Sequence, residues 1–141
     1  MSPERKCAIE HEAAQVLLRF FHNLDSDKYD ALVALMASDG VWNRQGKVLR
    51  GPGMVMEAMH ARPKGRRTRH IITNLVVDAV DDSHAEAVFY LTVFAHGGGA
   101  AEGEPAPLEP PLSIGTYRVK LVRTAEGWRI ADISSQIAFK R

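Results

Sequence analysis

Thr68-Arg69-His70-Ile71-Ile72-Thr73-Asn74-Leu75-Val76-Val77 is rich in branched apolar side chains and favours a β-strand over a helix. From this segment onward, the side chains alternate with a period of two. The pattern predicts four long strands, at about residues 67–80, 84–96, 112–124 and 127–139. Turns at 81–83 and 125–127 join the first and last pairs, so the second half of the chain is predicted to be an antiparallel sheet.

The first half of the chain has the apolar spacing of helices. Ser2 is a suitable N-cap, and Pro3 a suitable first residue, for a helix over residues 3–24. A second, short helix follows, and a third begins at Gly51-Pro52-Gly53. The apolar sides of the first two helices are Ile9, Ala13, Val16, Leu17, Phe20, Phe21 and Leu24, and then Tyr29, Leu32, Val33 and Met36.

Two short strands are predicted between the second and third helices. Asp39-Gly40 is interpreted as a turn into a strand at 41–43, and Gln45-Gly46 as a hairpin turn into a strand at 47–49. Three helices and long antiparallel strands indicate one α+β domain over residues 1–141. The helices are expected to pack on one face of a curved, mainly antiparallel sheet.

The composition limits the classes of partner and compartment. The 141 residues are 45% hydrophobic with a net charge of +1, which gives no reason to expect nucleic acid or a membrane surface as a partner. The basic run at 64–69 contains no aromatic residue, so we interpret it as a solvated loop. A single cysteine (Cys7), a polar N-terminus and no apolar stretch of ~20 residues predict a cytoplasmic protein without a signal peptide or membrane span.

A long loop is predicted between the second and third of the long strands. Residues 97–111 contain four of the seven prolines and four of the eleven glycines. Prolines block strand pairing and glycines leave the backbone unconstrained, so few native contacts are expected to hold this loop. We predict that it is mobile and borders the mouth of a pocket, either as a lid over bound substrate or as an insertion without function.

Several short motifs occur in a fixed order along nearly the whole chain. They are the Asp25 turn, a Tyr-Asp-x-Leu helix at 29–32, an Asp-Gly-Val-Trp strand at 39–42, the Thr-Arg-His strand at 68–70 and a Gly-Trp-Arg-Ile strand at 127–130. In this order they resemble the SnoaL-like branch of the NTF2-like superfamily, and within it the cofactor-independent lyases related to scytalone dehydratase and hexachlorocyclohexane dehydrochlorinase. The resemblance implies a cone-shaped α+β barrel whose open end is a deep apolar pocket.

The resemblance also implies a catalytic histidine–aspartate pair. Asp25 and His70 stand at the family positions, with His70 as general base and Asp25 fixing its ring. Two departures argue against the substrates of those enzymes: Leu24 replaces a tyrosine of the dehydratase, and Ile133 replaces an arginine of the dehydrochlorinase. Each member of the pair has a structural alternative. The histidine can be buried against a backbone carbonyl, and Asp25 can cap the second helix, although Ser26 and Asp27 lie closer to it.

Other polar and aromatic side chains are candidate substrate contacts. Tyr117 is predicted to point inward, either as a hydrogen-bond donor or as a core tyrosine. Asn74 shares the face of His70 if the strand is regular, and either binds a substrate oxygen or bonds to the backbone. His96 would share a face with Val88, Tyr90, Thr92 and Phe94, and is either a pocket histidine or a solvent histidine at a loop edge. The predicted substrate contacts are Tyr117, Asn74, His96, Tyr90, Trp42, Phe20 and Phe94.

The resemblance, with the residues that match it, implies a cofactor-independent enzyme that removes a proton from a small apolar, cyclic or polyketide-like molecule, ending in elimination, isomerisation or cyclisation. The alternative is a non-catalytic NTF2-like module for ligand binding or assembly, resembling the β subunits of ring-hydroxylating dioxygenases. The other histidines show no metal-ligand spacing, so we expect neither a metal nor a cofactor. A homodimer is expected, with a trimer as the second choice, because Trp128 or Ile130 would otherwise be exposed on the outer face of the sheet.

Overall fold

The computed structural model describes residues 1–98 and 100–141, which confirm the predicted α+β organisation. The helices are α1 (Pro3–Asp25), α2 (Tyr29–Val33) and α3 (Gly51–His60). The strands are β1 (Met36–Arg44), β2 (Lys47–Arg50), β3 (Arg67–Ala79), β4 (His84–His96), β5 (Ser113–Thr124) and β6 (Gly127–Lys140). Within this described part of the chain, no helix combines the length and apolar character needed to span a membrane.

The strands form one sheet in the order β2-β1-β6-β5-β4-β3. Neighbouring strands are antiparallel except for β1 and β6, which run parallel. The predicted Gln45-Gly46 turn joins β1 and β2, and the two residues have the positive φ angles of a tight hairpin turn, 52° and 78°. Register shifts interrupt several of the pairings, and helix α1 packs across the inner face of the curved sheet.

Helix α1 supplies the helical side of the core. Its N-terminus is capped by the Ser2 hydroxyl, which accepts a hydrogen bond from the Arg5 amide at 3.1 Å. The predicted apolar stripe is the buried face of this helix, and it packs with buried side chains of the sheet such as Trp42, Phe89 and Ile133. Burial of each large apolar side chain contributes about 1.5–3 kcal/mol, so this interface fixes the position of α1 on the sheet.

Two predictions around helix α2 are wrong. The helix ends at Val33, and Met36 instead begins β1 with its side chain buried. A helix of five residues gains little from its own hydrogen bonds, so burial in the sheet decides where Met36 lies. Neither Ser26 nor Asp27 caps α2, because its N-cap is Lys28 and no side chain bonds to the cap.

Asp39 and Gly40 do not form a turn, contrary to prediction. Both lie within β1, at a place where its pairing with β6 shifts between Met36 and Val41. A shift of this kind bends a strand and changes its twist. The bend leads β1 into the segment that carries Trp42 on the inner face of the sheet.

Trp128 and Ile130 lie in the core rather than on the outer face, with 4% and 0% of their surface exposed. The pairing of β5 with β6 shifts between Lys120 and Leu121, and Ala131 is the extra residue on β6. One extra residue reverses the alternation of faces, so Ile130 and Ile133 are both buried. The exposure on which we based the expected homodimer is therefore wrong, and the oligomeric state stays a prediction.

Candidate active site

Asp25 and His70 meet where the end of α1 packs against β3. Asp25 Oδ1 lies 2.6 Å from His70 Nδ1, and Asp25 Oδ2 accepts a hydrogen bond from the His70 backbone N–H at 2.8 Å. Only 13% of each side chain is exposed. The hydrogen bond predicted between these two residues, which are 45 positions apart, is present in the structure.

Further hydrogen bonds fix the Asp25 carboxylate from behind. Thr68 Oγ1 donates to Asp25 Oδ1 at 2.9 Å, and Arg62 Nη2 donates to Thr68 Oγ1 at 3.2 Å. Arg62 Nη1 also donates to the Leu24 carbonyl and to the Tyr29 hydroxyl, both at 3.0 Å. Because the Arg62 side chain is only 6% exposed, these bonds hold the end of α1 rigidly against β3.

Sequence analysis did not identify Thr68 or Arg62 as parts of this site. Thr68 precedes His70 by two residues, so strand alternation places both side chains on one face, and this spacing was a usable signal. Arg62 gave no comparable signal. It follows the end of α3, and its partners Leu24 and Tyr29 are 38 and 33 positions away in the sequence.

The hydrogen bonds decide the ionisation of Asp25. Burial raises the pKa of this carboxyl, but hydrogen bonds from the His70 ring, the His70 backbone and Thr68 outweigh burial and hold the pKa below its ordinary value. Asp25 is therefore ionised at neutral pH and can only accept hydrogen bonds. His70 Nδ1 must carry the proton of the shared bond, which leaves the lone pair of the neutral ring on Nε2.

Asp25→Asn is expected to destabilise the fold by about 2 kcal/mol near pH 7, since hydrogen bonds to charged groups contribute about 1.5–3 kcal/mol. A carboxyl with a lowered folded-state pKa stabilises the protein above its unfolded-state pKa, about 3.9. That contribution is lost as the pH falls through the folded-state pKa. The stability difference between wild type and Asp25→Asn should therefore shrink below about pH 4, as measured by urea unfolding near pH 7 and at about pH 3.

The matched control for this measurement is Asp39→Asn. Asp39 is exposed, and its side chain forms no hydrogen bond with the residues that the structure describes. Its substitution should leave stability nearly unchanged at both pH values. A deficit of equal size for Asp25→Asn at neutral and acidic pH would show that the ionised carboxylate is not the source of the stability.

An aromatic wall borders the His70 ring. The Phe21 ring lies 5.8 Å from the His70 ring, 5.9 Å from the Phe89 ring and 6.1 Å from the Tyr117 ring, measured between centroids. Phe89 and Tyr117 stack at 5.6 Å. Within residues 1–98 and 100–141, His70 Nε2 has no hydrogen-bond partner, and it is not among the buried unpaired polar atoms. The free lone pair is thus accessible to solvent and lies beside an apolar surface.

Tyr117 is one of the predicted contacts that the structure brings to this wall. Burial raises the pKa of Tyr117, while the neighbouring Ser135 and the charge of Arg44 act in the opposite direction, so the hydroxyl is protonated at neutral pH and can donate. Gly115 precedes it on the same face, where a Cβ would lie 3.2 Å from the Tyr117 ring and 3.3 Å from Ile137 Cδ1. The glycine therefore lets the Tyr117 ring and Ile137 pack closely against the backbone of β5.

Phe20 and Trp42, two other predicted contacts, lie deeper in the fold. Their ring centroids are 5.1 Å apart in an edge-to-face arrangement. Phe20 has no exposed surface and Trp42 only 4%, so both pack in the core, which corrects their predicted roles as substrate contacts. The other side of the site contains a residue that sequence analysis missed: the Arg44 guanidinium lies 5.6 Å from the centre of the Trp42 ring.

The sequence as a whole matches a described family. The model of the SnoaL-like domain matches residues 5–134. This chain belongs to the SnoaL-like domain family. Because the match spans nearly the whole chain, it confirms the resemblance to the SnoaL-like branch of the NTF2-like superfamily. Among curated proteins, none matches this SnoaL-like chain at a significant level.

Solved structures share the SnoaL-like fold over almost the full length. A candidate scytalone dehydratase from Novosphingobium aromaticivorans is 12% identical, with a TM-score of 0.81 over 99% of this chain and 91% of that one. An NTF2-like protein with a cystatin-like fold from the same organism is 18% identical, with a TM-score of 0.73 over 94% and 84%. A Catenulispora acidiphila protein in complex with S-DNPA is 25% identical, with a TM-score of 0.73 over 94% and 95%.

Three predicted contacts lie on the outer face of this SnoaL-like sheet, away from His70. Alternation along β4 buries Phe89 and leaves Tyr90 46% exposed. Phe94 and His96 have the same parity as Tyr90, and they line an outer-face cleft of about 300 Å³. The prediction that these three side chains share a pocket with His70 is corrected, because the inward face of β4 consists of Ala85, Ala87, Phe89, Leu91 and Val93.

Asn74 does not share the face of His70. Its φ angle is 53°, its side chain is exposed, and the pairing of β3 with β4 shifts between Thr73 and Val76. Asparagine tolerates this left-handed backbone better than most residues. The prediction assumed a regular strand, and the bulge that turns Asn74 outward corrects it.

Arginines hold the loop predicted at 97–111, of which Gly99 lies outside the described residues. Arg67 Nη1 donates to the Glu104 carbonyl at 2.8 Å, and Arg141 Nη1 donates to the Pro110 carbonyl at 2.9 Å. Two arginine side chains therefore contact the described part of the loop, and the expectation that few contacts hold it stays a prediction. Residues 105–109 border the outer-face cleft with Phe94 and His96. The mobility of the loop and its role as a lid stay predictions.

Proposed function

We propose that this SnoaL-like protein is a cofactor-independent enzyme that removes a proton from a small, mainly apolar cyclic molecule. His70 Nε2 is the base, and Asp25 orients the ring. The removed proton leads to elimination, isomerisation or cyclisation of the substrate. The observation that carries the proposal is the 2.6 Å contact between Asp25 Oδ1 and His70 Nδ1, in a site where Nε2 has no partner among the described residues.

The Asp25 contact favours base catalysis for two physical reasons. The ionised carboxylate fixes Nδ1 as the protonated nitrogen, so the lone pair is always on Nε2. When Nε2 accepts a proton, the same carboxylate stabilises the imidazolium that forms.

The surroundings of His70 favour an apolar, ring-containing substrate. Tyr117 is only partly buried, while Phe21 and Phe89 are 2% and 0% exposed and pack with it next to the base. Apolar, partly enclosed surroundings of this kind favour planar, ring-containing ligands over polar ones. The S-DNPA bound by the Catenulispora acidiphila protein supports a ligand-binding role for this fold, and we extend that role to this chain.

The experiment that tests the proposal uses 5-nitrobenzisoxazole, a neutral aromatic probe of general bases. Its elimination transfers the C3 proton to the base and breaks the N–O bond, which gives a coloured nitrile-bearing phenolate. The protein is expected to exceed an equal concentration of free imidazole by at least about tenfold, because a positioned base contributes about 10²- to 10⁴-fold. A rate no greater than that of imidazole would contradict the proposal and favour the non-catalytic binding module.

A further inference from the structure

Arg44 brings a positive charge to the inner face of the sheet. Arg44 and Trp42 are two residues apart on β1, so their side chains share a face. Trp42 is buried against Phe20 of helix α1, which identifies that face as the inner one. The 5.6 Å distance from the Arg44 guanidinium to the centre of the Trp42 ring is within the range of a cation–π contact. The arginine therefore folds over the side of the sheet that also carries the aromatic wall.

The strand register places Arg44 at the end of the wall away from His70. Trp42 pairs with Ile133 on β6, so Arg44 falls beside Ser135, two residues further along both parallel strands. Ser135 pairs in turn with Tyr117 on β5. Arg44 and Tyr117 are thus two strand spacings apart, roughly 10 Å along the sheet. His70 lies on the other side of Tyr117, behind the shared neighbour Phe21.

Arg44 has no anionic partner within the described chain. No carboxylate lies within 4.0 Å of its guanidinium, and the guanidinium donates no hydrogen bond to residues 1–98 or 100–141. Arg62, an arginine of the same region, donates instead to a carbonyl and two hydroxyl groups. The nitrogens of Arg44 are not among the buried unpaired atoms of the described residues, so they are accessible to a ligand.

The surroundings of Arg44 are positively charged. Burial lowers the pKa of Arg44, and the charges of Arg62 and Arg66 lower it further. Lys47, its partner across the β1–β2 hairpin, adds another cation. A half-buried charge without a counter-ion costs free energy. An anionic group on the ligand would offset this cost, so the site is arranged to favour a negatively charged molecule over a neutral one.

We propose that Arg44 binds a carboxylate of the substrate at the end of the site away from His70. The substrate is then a cyclic, mainly apolar organic acid whose reacting carbon lies at His70 and whose carboxylate lies at Arg44. This inference deepens the proposed function and rests on it for the position of the reacting carbon. The guanidinium forms two parallel hydrogen bonds with a carboxylate, a geometry that lysine cannot reproduce.

A fused bicyclic acid is a suitable probe, because one ring can lie beside the partly buried Tyr117 ring while the carboxylate faces Arg44. The roughly 10 Å between the strands of Tyr117 and Arg44 is a backbone separation, and the long Arg44 side chain covers part of it.

The test compares two isosteric probes, 2-naphthoate and the neutral 2-naphthamide, by titration calorimetry. Wild type is expected to bind the acid at least about tenfold more tightly than the amide, and salt should reduce this preference. Arg44→Met keeps the apolar stem over Trp42 and should bring the ratio of the two dissociation constants close to one. Arg44→Lys keeps the positive charge but lacks the two parallel N–H donors of the guanidinium, so it should give an intermediate ratio of dissociation constants.

The control is Arg123→Met, because Arg123 is an exposed arginine near the end of β5 and its substitution should leave the ratio unchanged. The proposal is overturned if wild type has no preference for the acid, if neither probe binds, or if Arg44→Met weakens both probes equally. The wild-type comparison decides the matter even if a variant fails to fold. Because calorimetry detects binding without turnover, a failure of His70 as a base would leave the result for Arg44 standing.

Discussion

Replacement of His70 by glutamine is expected to slow the elimination of 5-nitrobenzisoxazole by about 10²- to 10⁴-fold, the contribution typical of a positioned general base. Glutamine is close to histidine in size, and its amide can still donate a hydrogen bond to Asp25. The variant should therefore keep the contact that holds α1 against β3, while no basic nitrogen is left to accept a proton. Initial rates of phenolate formation measure the effect.

The chain contains a matched control for the His70 experiment. His84 Nδ1 lies 2.9 Å from Asp81 Oδ1, so His84 also contacts a carboxylate, but its side chain is 59% exposed. His84→Gln removes an equivalent imidazole from the protein surface and should leave the rate unchanged. Full retention of rate in His70→Gln would show that His70 is not the base, and equal losses in the two variants would show that its apolar surroundings contribute nothing to the reaction. Urea unfolding of both variants separates a loss of base from a loss of fold.

The sequence alone correctly predicted the features that depend on regular periodicity. The apolar stripe of α1 is the buried face of that helix, because helical spacing alone determines which side chains lie together. The pairing of Asp25 with His70 could not be derived from spacing, since the residues are 45 positions apart. It was anticipated from the order of family motifs, and the contact exists because the end of α1 packs on β3.

Several of the failed predictions share one physical cause, which is an irregular strand. Asn74 and the pair Trp128 and Ile130 lie near register shifts in β3 and between β5 and β6. A shift of one residue moves every later side chain to the other face, so alternation read from the sequence fails there. Sequence analysis also missed Arg44 and Arg62, because the contacts of a long side chain depend on the tertiary fold rather than on local spacing.

Gly40→Ala is expected to destabilise the protein by about 3 kcal/mol, at the upper end of the usual cost of overpacking. A Cβ at Gly40 would lie 2.9 Å from the Ala37 carbonyl oxygen and 2.9 Å from the Ile130 carbonyl oxygen. Both obstacles are backbone atoms, one in β1 and one in β6, and Ile130 has no exposed surface, so room for the Cβ requires β1 to move relative to β6. Urea unfolding of the variant measures the loss.

The control substitution is Gly53→Ala in helix α3, where a Cβ would meet nothing within 4 Å and the φ angle is not in the left-handed region. Alanine favours the helix by up to about 1 kcal/mol over glycine, so this variant should be as stable as wild type or more stable. A Gly40→Ala variant of wild-type stability would mean that the bulge in β1 can relax.

The bulge in β1 bears on the proposed ligand site, because it leads β1 towards Trp42 and Arg44. If β1 is displaced at Gly40, the preference for 2-naphthoate over 2-naphthamide should fall together with the stability, whereas Gly53→Ala should change neither.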